Sequence, residues 1–221
     1  MKSFKGILAV IILGCFVLVS GCSTLEKGSG ERVQLKEPRI KPLAASQWNA
    51  EQERILSPLK MPDGRIFNVF STLANHPTLM AKYDSFGLYL LRGSTLPPRE
   101  REILILRIGW LCGSEYEFGQ HTIVGKSVGL TDEEIRQITE GPMATGWNPL
   151  DATLIRAVDE LYYYTFITDA TWNALAKRYS QQQLMDVIAT VGGYNLLAMF
   201  LNSLGVQLDE GVPGFPKGKD K

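Results

Sequence analysis

The residues best suited to chemistry stand in one stretch, Leu96 to His121 (LPPREREILILRIGWLCGSEYEFGQH). Ser114, Glu117 and His121 are spaced i, i+3 and i+7, which places them on one face of a helix. Glu117 and His121 are also an i, i+4 pair. A carboxylate beside an imidazole favours the protonated ring and orients it, which suits a proton shuttle. Glu102 precedes them in a run otherwise filled by Ile103, Leu104, Ile105, Leu106, Ile108 and Leu111. An isolated buried carboxylate is costly, so Glu102 needs a partner or a raised pKa. If the two helices pack side by side, Glu102 can approach the Glu117/His121 face. A plainer alternative stays open: Glu-x-x-x-His is common on solvated helices, and Arg101 or Arg107 could hold Glu102 in an ordinary ion pair.

The elements that must position these residues are helical. Pro97-Pro98 opens a helix over Arg99 to about Leu111, apolar around nearly its whole circumference and therefore central to a core. Glu115 to Val128 forms the next, stopped by Gly129. Ser46 starts a helix through Ile55 and Leu56, and Asn75-His76-Pro77 another, with proline in the first turn. Thr131 to Glu134 and Ser180 to Gln183 fit capping boxes, while Asn148-Pro149 and Thr168 supply two more starts. Leu184, Val187, Ile188, Val191, Tyr194, Ala198, Leu201 and Leu204 keep the three-to-four spacing of a long last helix. Gly192-Gly193 within it allows a close helix approach near Tyr194. Strand signals are scarce, so the fold class is all-α: a single domain of seven or eight helices over residues 46–208. Asp209 to Lys221, with three glycines, two prolines and three lysines, reads as a flexible tail.

Composition narrows the function classes. The 221 residues are 45% hydrophobic and 21% charged, enough for one well-buried domain and against disorder. The 23 basic and 23 acidic residues cancel, leaving no electrostatic footprint for nucleic acid. Three cysteines are too few for a disulfide scaffold. His76 precedes a proline and reads as a helix-start residue, so His121 has no evident companion for a zinc site, and no metal is expected.

The N-terminus has the pattern of an export signal. Lys2 and Lys5 precede an apolar run from Ile7 to Gly21, short of the roughly 20 residues a spanning helix needs. The boundary Val19-Ser20-Gly21-Cys22 resembles the bacterial lipobox, which implies cleavage after residue 21 and lipid on Cys22. The expected organisation is a signal peptide over 1–21, a linker over 22–45 rich in Gly and Pro, then the helical domain. The expected location is the bacterial cell envelope, tethered to a membrane by lipid and facing the periplasm or exterior. Loss of Lys2 and Lys5 makes the mature chain slightly acidic, and Cys112 becomes its one free thiol.

The Pro-Arg-Glu-Arg-Glu helix followed by Gly-Ser-Glu-Tyr-Glu-Phe-Gly-Gln-His resembles the carboxymuconolactone decarboxylase family, which includes the alkylhydroperoxidase D-like proteins. The similarity covers roughly Ser46 to Leu208. It implies an all-α fold assembled as trimers or hexamers, hence a homo-oligomer. The peroxidase branch carries a glutamate, then Cys-x-x-Cys, then a histidine four residues on. Here Glu102 and His121 match, but Ser114 and Glu117 occupy the cysteine positions. A hydroxyl cannot replace a peroxide-attacking thiolate and its resolving partner, which disfavours an antioxidant peroxidase. Cys112 stands two residues too early to fill the gap.

The decarboxylase branch shows Glu-x-x-x-His at this place, matched by Glu117 and His121. The resemblance then implies a lyase acting on a small carboxylated lactone or organic acid, with no metal or organic cofactor. Decarboxylation needs a sink for the departing electron pair and a proton delivered to carbon, a role for a protonated His121. On this assignment Glu102 is base or relay, Glu117 the orienter and His121 the acid. Ser114, Tyr116, Tyr194 and Asn195 are candidate substrate-binding groups, Tyr194 and Asn195 being equally readable as satisfied core polarity. A third possibility is a non-catalytic binding lipoprotein of the envelope.

Overall fold

The computed structural model describes residues 34–216. The expected signal peptide, Cys22, the first part of the linker and the last five residues lie outside that range. Among the described residues there are nine α-helices and no strand. They are α1 (Ala50–Leu56), α2 (Asn68–Leu73), α3 (Pro77–Leu88), α4 (Pro98–Leu111), α5 (Glu115–Ser127), α6 (Asp132–Glu140), α7 (Pro149–Tyr164), α8 (Asp169–Ala176) and α9 (Gln181–Leu204). The all-α fold class is as expected.

Local chemistry explains most helix ends. Thr131 and Ser180 cap α6 and α9 in capping boxes with Glu134 and Gln183. Asn148 caps α7 through the amides of Leu150 and Asp151. His76 caps α3, its Nδ1 accepting from the Leu79 amide at 3.3 Å, which agrees with a helix-start role. One start differs from expectation, α1 being capped by Asn49 rather than Ser46, and α2 is an additional helix with no side-chain cap of its own. The amide of Asn68 in α2 is instead bonded by Asp209 Oδ1 at 2.9 Å, a cap supplied from 141 residues away.

α4 is the central element, packed against α5, α6, α7 and α9. Ile103, Leu104, Ile105, Leu106 and Ile108 are fully enclosed, because neighbours surround the helix on all sides. α9 borders this core through Leu184, Val187, Val191, Ala198 and Leu201. A π-helical turn, Tyr89–Gly93, extends α3 beside α9. A Cβ on Gly193 would meet Leu90 Cδ1 at 2.4 Å, so glycine there permits the contact with that turn. Asp186 of α9 ties the same region down, accepting from Tyr89 Oη at 2.6 Å and from the Thr95 amide and hydroxyl at 2.7 Å. A smaller cluster of Leu56, Leu73, Ala74 and Met80 joins α1, α2 and α3.

The segments flanking the helices are less free than their composition suggests. Residues 34–43 run across the C-terminal end of α9, where the Arg39 amide bonds the Leu204 carbonyl at 2.9 Å. The expected flexible tail also departs from expectation as far as Pro216. Asp209 accepts from Tyr116 Oη and from Gln120 Nε2, the latter at 2.7 Å. The Phe215 amide bonds Glu115 Oε1 at 3.2 Å, and the Phe215 ring packs 5.1 Å from Trp110 and 5.3 Å from Phe118. Gly119 makes the crossing possible, since a Cβ there would lie 2.1 Å from the Pro213 carbonyl oxygen.

Candidate functional site

α4 and α5 lie side by side, and Glu102 and His121 meet between them. Glu102 has no exposed surface; its Oε2 is 2.6 Å from His121 Nδ1 and its Oε1 accepts from Arg101 Nε at 3.2 Å. A carboxylate in its charged form only accepts, so with Glu102 in that form the ring would present Nδ1–H to it and leave Nε2 to exchange protons. Tyr194 of α9 stands edge-on to the imidazole, with ring centroids 4.9 Å apart and planes at 89°. The ring is thus held from two sides, by a carboxylate and by an aromatic edge. Gly125 gives α5 room beside α4, where a Cβ would lie 3.0 Å from Leu130 Cδ1 and 3.3 Å from Leu106 Cδ1.

Glu117 lies one turn before His121 on α5 and is 1% exposed. Neither of its oxygens has a hydrogen-bond partner. The i, i+4 bond to His121 expected from the sequence is not made, because Glu102 occupies Nδ1. The carboxylate in contact with the ring is Glu102, not Glu117. Burial alone pushes the Glu117 carboxyl well above the usual carboxylate range, which favours its neutral form. Gly109 on α4 gives the acid its seat: a Cβ there would lie 3.1 Å from Glu117 Oε1.

The other expected residues separate into two groups. Tyr194 touches His121 and belongs with the cluster, while Ser114 is fully buried, its hydroxyl unpartnered, at the start of α5. Asn195 accepts from Cys112 Sγ at 3.1 Å and so faces the thiol at the end of α4. Tyr116 does not serve the cluster. Its hydroxyl donates to Asp209 and accepts from the Val69 amide at 3.3 Å, a structural link between α5, α2 and the C-terminal segment. The sequence reading missed Tyr83, whose hydroxyl donates to the Gly193 carbonyl at 3.1 Å. Burial pushes the Tyr83 phenol up, and the Glu117 carboxyl adds to the shift. No spacing rule links α3 to α5, so that neighbour had no local signal.

Burial pushes the Cys112 thiol up to about 12, with Glu117 adding to it. Such a thiol carries almost no thiolate near neutral pH and is a poor attacker of peroxide. Among the described residues, no group of three or more His, Cys, Asp or Glu side chains comes together as a metal site. His121, held by Glu102, and the buried Glu117 are side-chain types suited to proton transfer.

Similarity to known proteins agrees with this arrangement of helices. Residues 77–160, which include Glu102, Glu117 and His121, match the model of the carboxymuconolactone decarboxylase family. No curated protein matches the chain. Among solved structures, an alkylhydroperoxidase AhpD core, an uncharacterized peroxidase-related protein from Ralstonia eutropha JMP134, superposes with a TM-score of 0.70 at 15% identity, over 78% of this chain and 93% of that one. A peroxidase-related protein from Silicibacter sp. TM1040 does so at 0.66 and 13%, over 83% and 95%. The debrominase Bmp8 reaches 0.60 at 13%, over 77% and 92%. The family match spans α3 to most of α7, and the described helices share an alkylhydroperoxidase D-like fold.

Proposed function

We propose that this protein is a cofactor-free acid–base enzyme of the decarboxylase type, acting on a small carboxylated lactone or related organic acid. The observation that carries the reading is the buried 2.6 Å contact of Glu102 with His121 Nδ1, which orients Nε2 for proton exchange. In the reaction, the bond from carbon to the departing carboxylate breaks and CO2 leaves. The electron pair stays on the substrate, delocalised toward a conjugated carbonyl oxygen. His121, protonated at Nε2 and balanced by Glu102, then delivers a proton to carbon, completing the C–H bond. Glu117, neutral and one turn away, can donate a hydrogen bond to the developing enolate oxygen.

The peroxide-reducing alternative is disfavoured by the same cluster. Ser114 and Glu117 stand where that branch needs two thiols, and the Cys112 thiol is held protonated by burial. Halogen removal, the activity named for Bmp8, is a property of that protein. The test is CO2 release from a panel of carboxylated lactones by the full chain and by His121→Ala and Glu102→Gln. Loss of release in both supports the reading; release unchanged in His121→Ala overturns it.

We further propose that the chain is exported and lipid-anchored through Cys22. Mass analysis of the mature N-terminus tests this, and an unmodified Cys22 would exclude it.

A further inference from the structure

Three arginines on α4 differ in how fully their guanidinium groups are used. Arg107 donates to both Asp159 oxygens at 2.7 and 3.0 Å and to the Ile138 and Thr139 carbonyls at 2.8 and 3.2 Å. Arg99 spans both Asp151 oxygens at 3.1 and 2.9 Å and also bonds Glu134. Arg101 is as buried as Arg107, 8% exposed against 7%, yet makes one hydrogen bond, from Nε to Glu102. Among the described residues, neither of its terminal nitrogens bonds a protein group. Nor are they among the unpartnered atoms sealed from solvent, which are confined to Thr72, Ser114, Glu117, Thr122 and Thr190. The outer fork of Arg101 is therefore removed from bulk water, open at its edge and uncommitted.

Its position gives the fork a use. Glu102 holds Arg101 by one oxygen and His121 by the other. The Arg101 charge reaches the Tyr194 phenol, whose ring stands against the same imidazole. A planar fork matches a carboxylate in two parallel hydrogen bonds, a geometry that a point charge does not offer. We propose that Arg101 is the anchor for a carboxylate of the bound substrate, received end-on by its two terminal nitrogens beside His121. This rests on the acid–base reading above and narrows its substrate class. The anchored group is a carboxylate that the product retains. A guanidinium on the carboxylate being lost would stabilise that anion and oppose departure of CO2. The substrate is then a small organic acid keeping one carboxylate close to the reacting carbon.

The experiment uses the full chain and two stable probes, 5-oxotetrahydrofuran-2-carboxylate and its uncharged methyl ester. Binding is followed through the His121 ring-proton NMR signals, which also give the ring's titration. Wild type is expected to prefer the acid by about tenfold or more, and Arg101→Gln to erase that preference while ester affinity stays within about twofold. Arg101→Lys, keeping charge but losing the fork, should retain only part of the preference. An acid preference unchanged in Arg101→Gln overturns the proposal, as does a wild type that does not prefer the acid. Equal weakening of acid and ester together with a shifted His121 titration also overturns it, since Arg101 would then act only by positioning Glu102. If Arg101→Gln does not fold, the acid-to-ester ratio of Arg101→Lys decides in the same sense. Failure of the anchor alone appears as unchanged preference with CO2 release still dependent on His121. Failure of the acid–base reading alone appears as lost preference with release surviving in His121→Ala.

Discussion

Two groups of buried charge on α4, centred on Arg107 and on Glu102, are completed to different degrees. Arg107 is closed by a bidentate carboxylate from α7 and two carbonyls at the end of α6, and it joins three helices. Around Glu102, the Arg101 fork is half used, and Glu117 and Ser114 are buried without partners. Burying polar groups costs free energy unless their hydrogen bonds are made, so a folded chain tolerates unmet demand only where another advantage outweighs it. The closed group is architecture. The open one, next to a histidine oriented by a carboxylate, is where substrate would complete the hydrogen bonding.

That contrast can be broken by substitution. The largest expected effect is on turnover: His121→Ala and Glu102→Gln should each lower CO2 release by roughly 10²–10⁴-fold, measured by steady-state kinetics. Because His121→Ala also strips the fully buried Glu102 of one of its two partners, the comparison is made per folded molecule. Asp159→Ala should do the opposite, costing about 3–5 kcal/mol of stability by leaving Arg107 buried and uncompensated. Turnover per folded molecule should stay constant, as denaturant unfolding combined with activity would show.

Glu117 gives the sharpest pH signature. Its folded pKa lies above its unfolded value of about 4.3, so above that pH the unfolded chain releases a proton that the native chain keeps. Stability is then lost as pH rises from about 4.3 toward the folded pKa, at roughly 1 kcal/mol per pH unit from this group. Glu117→Gln should remove that slope, so its stability relative to wild type grows from acid toward neutral pH. A constant difference across the range would mean that Glu117 is ionised in the native state. The smallest effect belongs to Tyr116→Phe, which loses the bond to Asp209 and should cost about 1–2 kcal/mol with little change in turnover. A selective loss of turnover would restore Tyr116 to the site.

Legibility in the sequence followed the range of the forces involved. The caps at Thr131, Asn148 and Ser180 were readable because each side chain bonds amides two or three residues away. α2 was not, because its first amide is capped by Asp209 from the far end of the chain. The glycine-rich C-terminal segment looked free, yet it docks because Gly119 lets a backbone carbonyl approach α5. Glu102 stood out as one acid in an apolar run, and that contrast pointed to the need for a partner.

The sequence by itself determined the helical architecture, the central place of α4, and the residue types Glu, Ser, Glu and His that the cluster contains. These follow from periodicity, capping and the cost of buried charge, all of which act within a few residues. Tertiary structure alone decided which carboxylate holds the ring, that burial drives the Glu117 carboxyl toward its neutral form, that Tyr116 serves the scaffold, and that Arg101 keeps an open fork. Each of those outcomes depends on the distance between side chains on different helices. Helical spacing put Glu117 within reach of His121, but packing brought Glu102 to Nδ1 first and left Glu117 buried without a counter-charge.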